Sequence, residues 1–247
     1  MNKKTVWTLL PGISLVAALM LLSACSDAEE GLSKKEEQVA QIQKPQTETV
    51  AKPKKIQGSI QDIAERYKEL SSPQPTRTGD KIEVLEVFWY GCPHCYQFEP
   101  VVEKWLEEKA GYIEFVRIPG VLGKQWLPHA RAYYAAEKLG VLKKIHQPLF
   151  NAIHNDKRKI FDERSLKKFF AEHGVDGNDF DKAYQSKEVE ESVRTAFSAG
   201  KSYELTGVPT VVINGKYTTS ASMAGSFDKV IEVINILSAK EYEKLNE

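Results

Sequence analysis

The stretch that decides the fold is KIEVLEVFWYGCPHCY, residues 81–96. Residues 82–90 place apolar side chains on both alternating faces, which is typical of a strand covered on both sides. Pro93 suits a first helical turn, because its missing N–H is no loss there. The sequence therefore predicts a buried strand that leads into a helix beginning at or just after Cys92. Apolar side chains recur beyond it at helical spacing, at Cys95, Phe98, Val101, Val102 and Trp105.

The N-terminus has the layout of an export signal. Lys3 and Lys4 form a short basic region, and residues 6–22 are almost wholly apolar, as in a secretory signal. Small residues just before Cys25 resemble the lipobox of bacterial lipoproteins, in which the cysteine carries lipid. We therefore expect residues 1–24 to be a lipoprotein signal peptide. An uncleaved membrane anchor is the alternative, although the apolar run is short for a spanning helix.

A segment of different composition follows the signal. Residues 26–57 contain no aromatic residue and mix Glu, Lys, Gln and Pro, so they cannot bury enough apolar surface to fold. We predict that residues 25–57 are a lipidated, flexible tether. A lipid on Cys25 implies stable anchoring in the lipid bilayer, which places the protein in the bacterial cell envelope, facing the periplasm. The residues after Cys25, Ser26 and Asp27, do not decide whether the anchor lies in the inner or the outer membrane.

Cysteine usage narrows the chemistry. The chain has 3 cysteines, so lipidation of Cys25 leaves Cys92 and Cys95 as a pair. A structural zinc site needs about four protein ligands, and no histidine shows the second half of a ligand spacing. We therefore predict neither a metal nor a cofactor. A structural disulfide is also disfavoured, because loop-closure entropy is small for so short a loop, and redox chemistry remains.

The rest of the chain predicts a βα segment, a helical stretch and a ββα segment. A second strand covers residues 113–118, and residues 127–205 carry helical signals, with Asp162 as a candidate N-cap. Asn214-Gly215 is a strong hairpin signal between two strands. The 247 residues, 42% hydrophobic with zero net charge, fit one domain with an appendage and give no sign of a nucleic-acid partner.

The motif CPHC at residues 92–95, preceded by the strand at residues 85–88 and completed by Val208-Pro209, resembles the DsbA family of thiol:disulfide oxidoreductases. The resemblance covers roughly residues 60–245. It implies an α/β, thioredoxin-like fold with an inserted helical domain. The predicted parts are a first thioredoxin-like segment at 58–120, a helical insert at 121–204 and a second thioredoxin-like segment at 205–247.

The two cysteines are expected to differ in reactivity. A cysteine at a helix N-terminus lies beside unpaired N–H groups and the positive end of the helix dipole, which favour the thiolate. His94, if it presents its proton or charge to Cys92, adds to this effect. A stabilised thiolate stabilises the reduced state, so the disulfide becomes the stronger oxidant. Cys95, one turn further along, is expected to be more buried. Its expected role is to re-form the disulfide, or to free a trapped enzyme by attacking Cys92.

Three other positions complete the expected site. Glu86 lies on an otherwise apolar strand, and the resemblance favours a buried carboxylate with a raised pKa that relays a proton for Cys95; a solvated strand-end glutamate is the alternative. The resemblance also implies that a cis Val208–Pro209 bond faces the cysteines and that Val208 offers backbone groups to a substrate. Alternatively, Pro209 merely starts an edge strand. The remaining histidines are expected to be ordinary helix or surface residues.

Three functional hypotheses follow. The leading one is an anchored dithiol oxidase that donates the Cys92–Cys95 disulfide to reduced exported proteins and is reoxidised by a disulfide-generating oxidase in the membrane. The second is a reductase or isomerase that uses the same cysteines in the opposite direction. The third is a tethered, non-catalytic binding protein. These residues do not indicate which proteins are the substrates.

Overall fold

The computed structural model describes residues 58–247 of the chain. The predicted signal peptide at 1–24, the lipidation site Cys25 and the tether that follows it therefore lie outside the described residues. Within residues 58–247, no helix combines the length and the apolar character needed to cross a membrane.

A five-stranded mixed sheet forms the centre of the described residues. Its strands are β1 Lys68–Glu69, β2 Ile82–Phe88, β3 Ile113–Pro119, β4 Thr210–Ile213 and β5 Tyr217–Thr219. They lie in the order β1-β5-β4-β2-β3, with β2 parallel to β3 and antiparallel to β4. Every residue of β2 is buried, so the predicted strand with two covered faces is confirmed. The two-residue strand β1 was not predicted.

Eight α-helices complete the described chain. They are α1 Pro93–Glu108, α2 Leu127–Lys138, α3 Leu142–His154, α4 Glu163–Glu172, α5 Gly177–Tyr184, α6 Lys187–Ser202, α7 Ala221–Ala224 and α8 Phe227–Leu245. Short 3-10 helices occupy Ile60–Ile63 and Lys124–Trp126. Helices α2 to α6 all fall between β3 and β4, which agrees with the predicted architecture of a βα and a ββα segment separated by helices. The residue boundaries of the three predicted parts stay predictions.

Two local predictions are confirmed. The side chain of Asp162 caps α4 by accepting a hydrogen bond from the backbone N–H of Ser165 at 2.8 Å. Asn214 and Gly215 both have positive φ angles, 50° and 63°, as a tight turn between antiparallel strands requires, and they join β4 to β5. A side chain at position 215 would also collide with the backbone, since a Cβ there would lie 2.1 Å from the carbonyl oxygen of Gln74.

The strand β2 links two hydrophobic cores. Its first residues, Ile82 and Val84, pack with apolar side chains of α1 and α8. Phe88 at its end, followed by Tyr90, belongs instead to a core formed by α2 to α5. The two cysteines that follow are part of this second core. The fold therefore carries the dithiol to the junction between the sheet and the inserted helices.

Candidate active site

Cys92 is the N-cap of α1. Its Sγ accepts a hydrogen bond from the backbone N–H of Cys95 at 3.4 Å, and Pro93 occupies the first helical position, as predicted. Only 8% of the Cys92 surface is exposed. The helix thus begins at the residue that the sequence indicated, with a sulfur in the place where a helix normally has a side-chain oxygen acceptor.

The surroundings of Cys92 lower the pKa of its thiol from an ordinary value of 9.0 to about 6. The largest cause is a hydrogen bond from the thiol of Cys95; burial opposes it, and the backbone N–H groups of Cys95 and His94 support it. The direction agrees with the prediction. The leading contribution differs, because the neighbouring thiol acts more strongly than the N–H groups of the helix terminus.

Cys95 has the opposite character. Its side chain is fully buried, and burial, the hydrogen bond to Cys92 and the negative charges of Cys92 and Glu86 together raise the pKa of its thiol well above the ordinary value. The prediction that Cys95 is the more buried of the pair is confirmed. The site therefore contains one thiol that favours the thiolate and one that strongly favours the protonated form.

His94 is exposed on the first turn of α1. Its ring Nδ1 lies 3.3 Å from Oε1 of Gln97. Its charge lowers the pKa of Cys92, but less than the backbone N–H groups do. His94 thus acts on Cys92 in the predicted direction, and mainly through its backbone.

Val208 and Pro209 face the cysteines across the site. The peptide bond between them is cis, as the resemblance implied. The thiol of Cys92 lies 3.4 Å from the carbonyl oxygen of Val208 and donates to it. Residues 116 positions apart in the chain therefore meet at the reactive sulfur. The role of Val208 and Pro209 in holding a substrate stays a prediction.

Glu86 is fully buried, so the alternative of a solvated strand-end glutamate is wrong. Burial raises the pKa of its carboxyl from 4.5 to about 7, although the positive charge of Arg117 opposes this rise. Nε of Arg117 donates to Oε2 of Glu86 at 2.9 Å. The other oxygen, Oε1, is buried without a hydrogen-bond partner among the described residues. A carboxyl that titrates near neutral pH thus lies close enough to Cys95 to influence the pKa of its thiol.

Sequence reasoning missed the rest of this charge cluster. Nη2 of Arg117 lies 3.1 Å from Oε2 of the buried Glu99 and 3.2 Å from Oε1 of Glu103, whose side chain is 59% exposed. Arg117 stands directly opposite Glu86 in the pairing of β2 with β3. A signal for both existed in the sequence: Arg117 interrupts an apolar strand, and Glu99 follows Cys95 by four residues, on the same helix face.

A histidine extends the cluster into the inserted helices. Nδ1 of His146, on α3, lies 2.9 Å from the hydroxyl of Tyr90, and its Nε2 lies 3.4 Å from Oε1 of Glu99. Among the described residues neither Nε2 of His146 nor Oε1 of Glu99 has a hydrogen-bond partner. The expectation of an ordinary helix histidine is wrong for His146, which joins the helices to the buried charges behind Cys95.

Two further histidines contact the segment that precedes Cys92. Nε2 of His154 lies 2.7 Å from the carbonyl oxygen of Tyr90, and its ring stacks on Tyr96 at 5.1 Å. The ring of His129 meets that of Tyr90 edge to face with centroids 5.8 Å apart, and its Nε2 lies 2.6 Å from the carbonyl oxygen of Ile160. Burial lowers the pKa of His129 to about 4. No periodic pattern in the sequence sets these two histidines apart from surface histidines, because the groups that they contact belong to other elements of the fold.

This geometry defines a class: a thioredoxin-like protein with a redox-active dithiol at the start of a helix, opposite a cis-proline loop. Comparison with known proteins agrees. The family model described as DSBA-like thioredoxin domain matches residues 83–231. The thiol:disulfide interchange protein DsbA of Pseudomonas syringae pv. tomato is 38% identical over 180 residues, which cover 73% of this chain and 84% of the relative.

Further relatives give the same result. The DsbA of Burkholderia cepacia is 37% identical over 179 residues, covering 72% of this chain and 84% of the relative. The crystal structure of Pseudomonas aeruginosa DsbA superposes with a TM-score of 0.70 at 36% identity and covers 74% of this chain and 96% of that one. The chain therefore belongs to the DsbA family. The predicted α/β, thioredoxin-like fold with an inserted helical domain is confirmed.

Proposed function

We propose that this protein is a thiol:disulfide oxidoreductase that donates the Cys92–Cys95 disulfide to reduced exported proteins. The observation that carries the proposal is the opposite proton affinity of two thiols three residues apart, with the pKa of Cys92 lowered to about 6 and that of the buried Cys95 raised. With a pKa of about 6, roughly nine-tenths of Cys92 is thiolate at pH 7 in the reduced enzyme. Reduction of the disulfide is favoured because its product is stabilised.

The reaction divides into two exchanges. A substrate thiolate attacks Sγ of Cys92, the bond to Cys95 breaks, and Cys95 keeps the electron pair and takes up a proton. A second substrate thiolate then attacks the substrate sulfur of this mixed disulfide, and Cys92 leaves as a thiolate. The substrate loses two electrons and two protons; the enzyme gains both electrons and keeps one proton on Cys95, and the other proton enters the solvent. Cys92 is the better leaving group of the two because its pKa is the lower.

Glu86 is suited to supply the proton that Cys95 needs. A carboxyl with a pKa of about 7 is protonated in a substantial fraction of molecules at neutral pH, and general acids work best when their pKa lies near the working pH. After the transfer Glu86 is a carboxylate paired with Arg117. It recovers a proton from the solvent before the next cycle.

Val208 is suited to hold the substrate chain. Its carbonyl oxygen lies next to the sulfur of Cys92, so a substrate bonded to that sulfur brings its own backbone close to it. An extended substrate segment can donate a backbone N–H to such a carbonyl, as strands do when they add to a sheet edge. Pro209 follows Val208 directly in the chain, and in this proposal it lies beside the same substrate segment.

We further propose that the protein works at the bacterial cell envelope as a lipoprotein. The apolar segment at residues 6–22 and the small residues before Cys25 support export and lipidation. The bilayer would then be its anchor, a membrane oxidase its reoxidising partner, and the periplasm its place of action. If Cys25 is lipidated, membrane fractions contain the native protein, and replacement of Cys25 with Ser removes it from them. Equal membrane content of both forms contradicts the lipid anchor and supports the uncleaved membrane anchor.

A redox titration against glutathione tests the direction of electron flow. We expect a reduction potential well above the roughly −270 mV of thioredoxin. A value near that of thioredoxin would support the reductase alternative instead. In a Cys95→Ala variant the Cys92 thiolate can attack the disulfide of an oxidised substrate, which releases one substrate thiolate and leaves a mixed disulfide on Cys92. We expect this adduct to be trapped, because Cys95 is no longer present to attack Cys92 and release the substrate. The absence of such adducts in cells that produce the variant would support the non-catalytic alternative.

A further inference from the structure

Behind Cys95 two buried carboxyl groups meet the same guanidinium. Arg117 contacts both Glu86 and Glu99, and neither carboxyl residue is more than 1% exposed. If both were ionised, Arg117 would balance only one of the two charges. Unbalanced charge in the interior is costly, and two carboxylates that share one site do not both ionise easily. We therefore expect this pair to keep one proton near neutral pH, in line with the raised pKa of Glu86.

The two carboxyls differ at the oxygen that Arg117 does not contact. Nε of Arg117 donates to Oε2 of Glu86 at 2.9 Å, and its Nη2 donates to Oε2 of Glu99 at 3.1 Å. Oε1 of Glu86 has no hydrogen-bond partner among the described residues, whereas Oε1 of Glu99 lies 3.4 Å from Nε2 of His146. A movement of about 0.5 Å brings these two atoms to the usual N–H···O distance of about 2.9 Å. His146 is therefore poised to bind one carboxyl of the pair and not the other.

The packing around His146 fixes the orientation of its ring. The ring meets those of Phe88 and Phe150 edge to face, with centroids 5.1 Å and 5.3 Å away. Its Nδ1 lies 2.9 Å from the hydroxyl of Tyr90, which can donate to that nitrogen or accept from it. A carboxylate only accepts hydrogen bonds, so the contact with Glu99 selects the ring forms that carry a proton on Nε2. These are the neutral ring whose Nδ1 accepts from Tyr90 and the charged ring.

We propose that His146 is a positioning residue that holds the negative charge on Glu99 and thereby leaves the proton of the pair on Glu86. The inference rests on the proposed function, in which Glu86 supplies the proton that Cys95 takes up. A hydrogen bond to the charged form of a carboxyl favours that form, and the charge of Glu99 raises the pKa of Glu86. Two carboxyls in different surroundings thus take different roles.

Other ionisable groups also face the two carboxyls. They include Cys95 and Glu103 of α1, Arg117 of β3, Tyr133 of α2 and Tyr90 just before α1. Arg117 contacts both carboxyls, and the charge of Glu103 raises the pKa of Glu86. Burial raises the pKa of both tyrosines and of Cys95, so these three groups carry their protons at neutral pH. His146 is therefore the group that favours one carboxyl over the other by direct contact.

Two amide substitutions separate the two contacts of His146. The amide of asparagine lies where Nδ1 lies, and the amide of glutamine reaches the position of Nε2. His146→Asn therefore keeps a polar partner for Tyr90 and removes the one for Glu99, whereas His146→Gln does the reverse.

Infrared titration of the reduced protein follows the proton directly. A protonated carboxyl has a C=O band that a carboxylate lacks, and the band absent from Glu86→Gln belongs to Glu86. In the native protein this band should disappear with a midpoint of about pH 7. We expect the midpoint to fall by about one pH unit in His146→Asn, at the low end of the shifts that a neighbouring charge causes, and to stay near pH 7 in His146→Gln. An unchanged midpoint in His146→Asn, or an equal fall in His146→Gln, overturns the proposal.

His173→Asn is the matched control, because the ring of His173 contacts the carbonyl oxygen of Phe169 in the neighbouring helix α4. This variant should keep the native midpoint, and a fall equal to that in His146→Asn also overturns the proposal.

Glu99→Gln tests whether the effect passes through Glu99. Its amide cannot ionise, so the midpoint of Glu86 should fall in this variant as well. Adding His146→Asn should then lower the midpoint no further, because the two substitutions remove the same interaction. A further fall overturns the proposed route. Glu99→Gln also keeps the test decisive if a His146 variant does not fold, since an unchanged midpoint there would show that the charge of Glu99 does not hold the proton on Glu86.

The rate of mixed-disulfide formation connects this titration to the proposed function. A fall of the midpoint to about pH 6 lowers the protonated fraction of Glu86 at pH 7 from about a half to about a tenth. His146→Asn should therefore react about fivefold more slowly than the native enzyme at pH 7 and about equally fast at pH 5. Comparison at the same pH cancels the ionisation of the attacking thiol. A lowered midpoint with an unchanged rate supports the placement of the charge and counts against the proton relay in the proposed function.

Discussion

The backbone N–H of Cys95 donates to Sγ of Cys92 at 3.4 Å, and the thiol of the same residue is the largest cause of the lowered pKa of Cys92. The relationship is reciprocal, because the hydrogen bond and the charge of Cys92 both raise the pKa of Cys95. Placing the second cysteine one turn into the helix thus stabilises negative charge on the first. The asymmetry between the two thiols arises from the burial of Cys95, which is the largest cause of its raised pKa, together with the interaction between the two sulfurs.

The first prediction concerns the stability of the reduced protein. The folded-state pKa of Cys92, about 6, lies below the ordinary value of 9.0, so its thiolate stabilises the folded state fully above about pH 9. This contribution decreases as the pH falls and is lost below about pH 6. Chemical denaturation measures the unfolding free energy of the reduced native protein and of the reduced Cys92→Ser variant. The difference between the two should shrink as the pH is lowered from about 9 to about 6. A pH-independent difference contradicts the lowered pKa.

The second prediction concerns Glu86→Gln. The folded-state pKa of Glu86 is raised from 4.5 to about 7, so the protonated carboxyl favours folding below pH 4.5 and this contribution is lost as the pH rises through 7. The amide variant cannot ionise, and we expect it to have a higher Tm than the native protein at pH 8 but not at pH 4.5. Thermal unfolding of both proteins at these two pH values measures the effect.

The same variant should react more slowly. Without a carboxyl proton for Cys95, mixed-disulfide formation at pH 6 should be slower by about tenfold or more, within the range of general acid catalysis. The pH dependence of the rate should also lose its inflection near pH 7. Stopped-flow fluorescence of the oxidised enzyme with a model thiol measures both. An unchanged inflection would assign the proton to another donor.

The third prediction concerns Arg117. Its guanidinium is the cation that contacts two fully buried carboxylates, Glu86 and Glu99. Replacement with Met should lower the unfolding free energy by about 3–5 kcal/mol, because breaking a buried ion pair leaves unpaired charge in the interior. Glu103→Gln, at the exposed end of the cluster, should change it by less than about 1 kcal/mol. Urea denaturation measures both effects. Equal losses of unfolding free energy in the two variants would show that buried charge pairing in the cluster does not stabilise the fold.

The fourth prediction concerns His146→Leu. The substitution leaves the buried hydroxyl of Tyr90 without the ring nitrogen that lies 2.9 Å from it, so we expect a loss of about 1–3 kcal/mol of unfolding free energy. His173→Leu is the comparison: its Nδ1 lies 2.8 Å from the carbonyl oxygen of Phe169, but its side chain is only partly buried. Its loss should be smaller, and a larger loss for His173→Leu in urea denaturation would be evidence against the buried network.

Several elements could be predicted because their causes are local. The alternation before Cys92 predicted β2, Pro93 indicated the first turn of α1, and Asn214-Gly215 predicted a hairpin. Asp162 predicted the start of α4. Each of these predictions depends on residues that are close together in the chain, where hydrophobic periodicity, helix capping and turn preferences determine the local structure. The pairing of Cys92 with Val208-Pro209 came instead from the family resemblance, since residues so far apart leave no local pattern.

The sequence by itself determined the dithiol, its place at the start of a helix, and the strand that carries it. Only the tertiary structure decided which charges and rings surround that dithiol. Arg117 meets Glu86 through strand pairing, and His146 reaches Glu99 from an inserted helix. The physical reason is that a pKa and a binding surface depend on neighbours in space and on burial, and for these residues both arise from packing between elements distant in the chain.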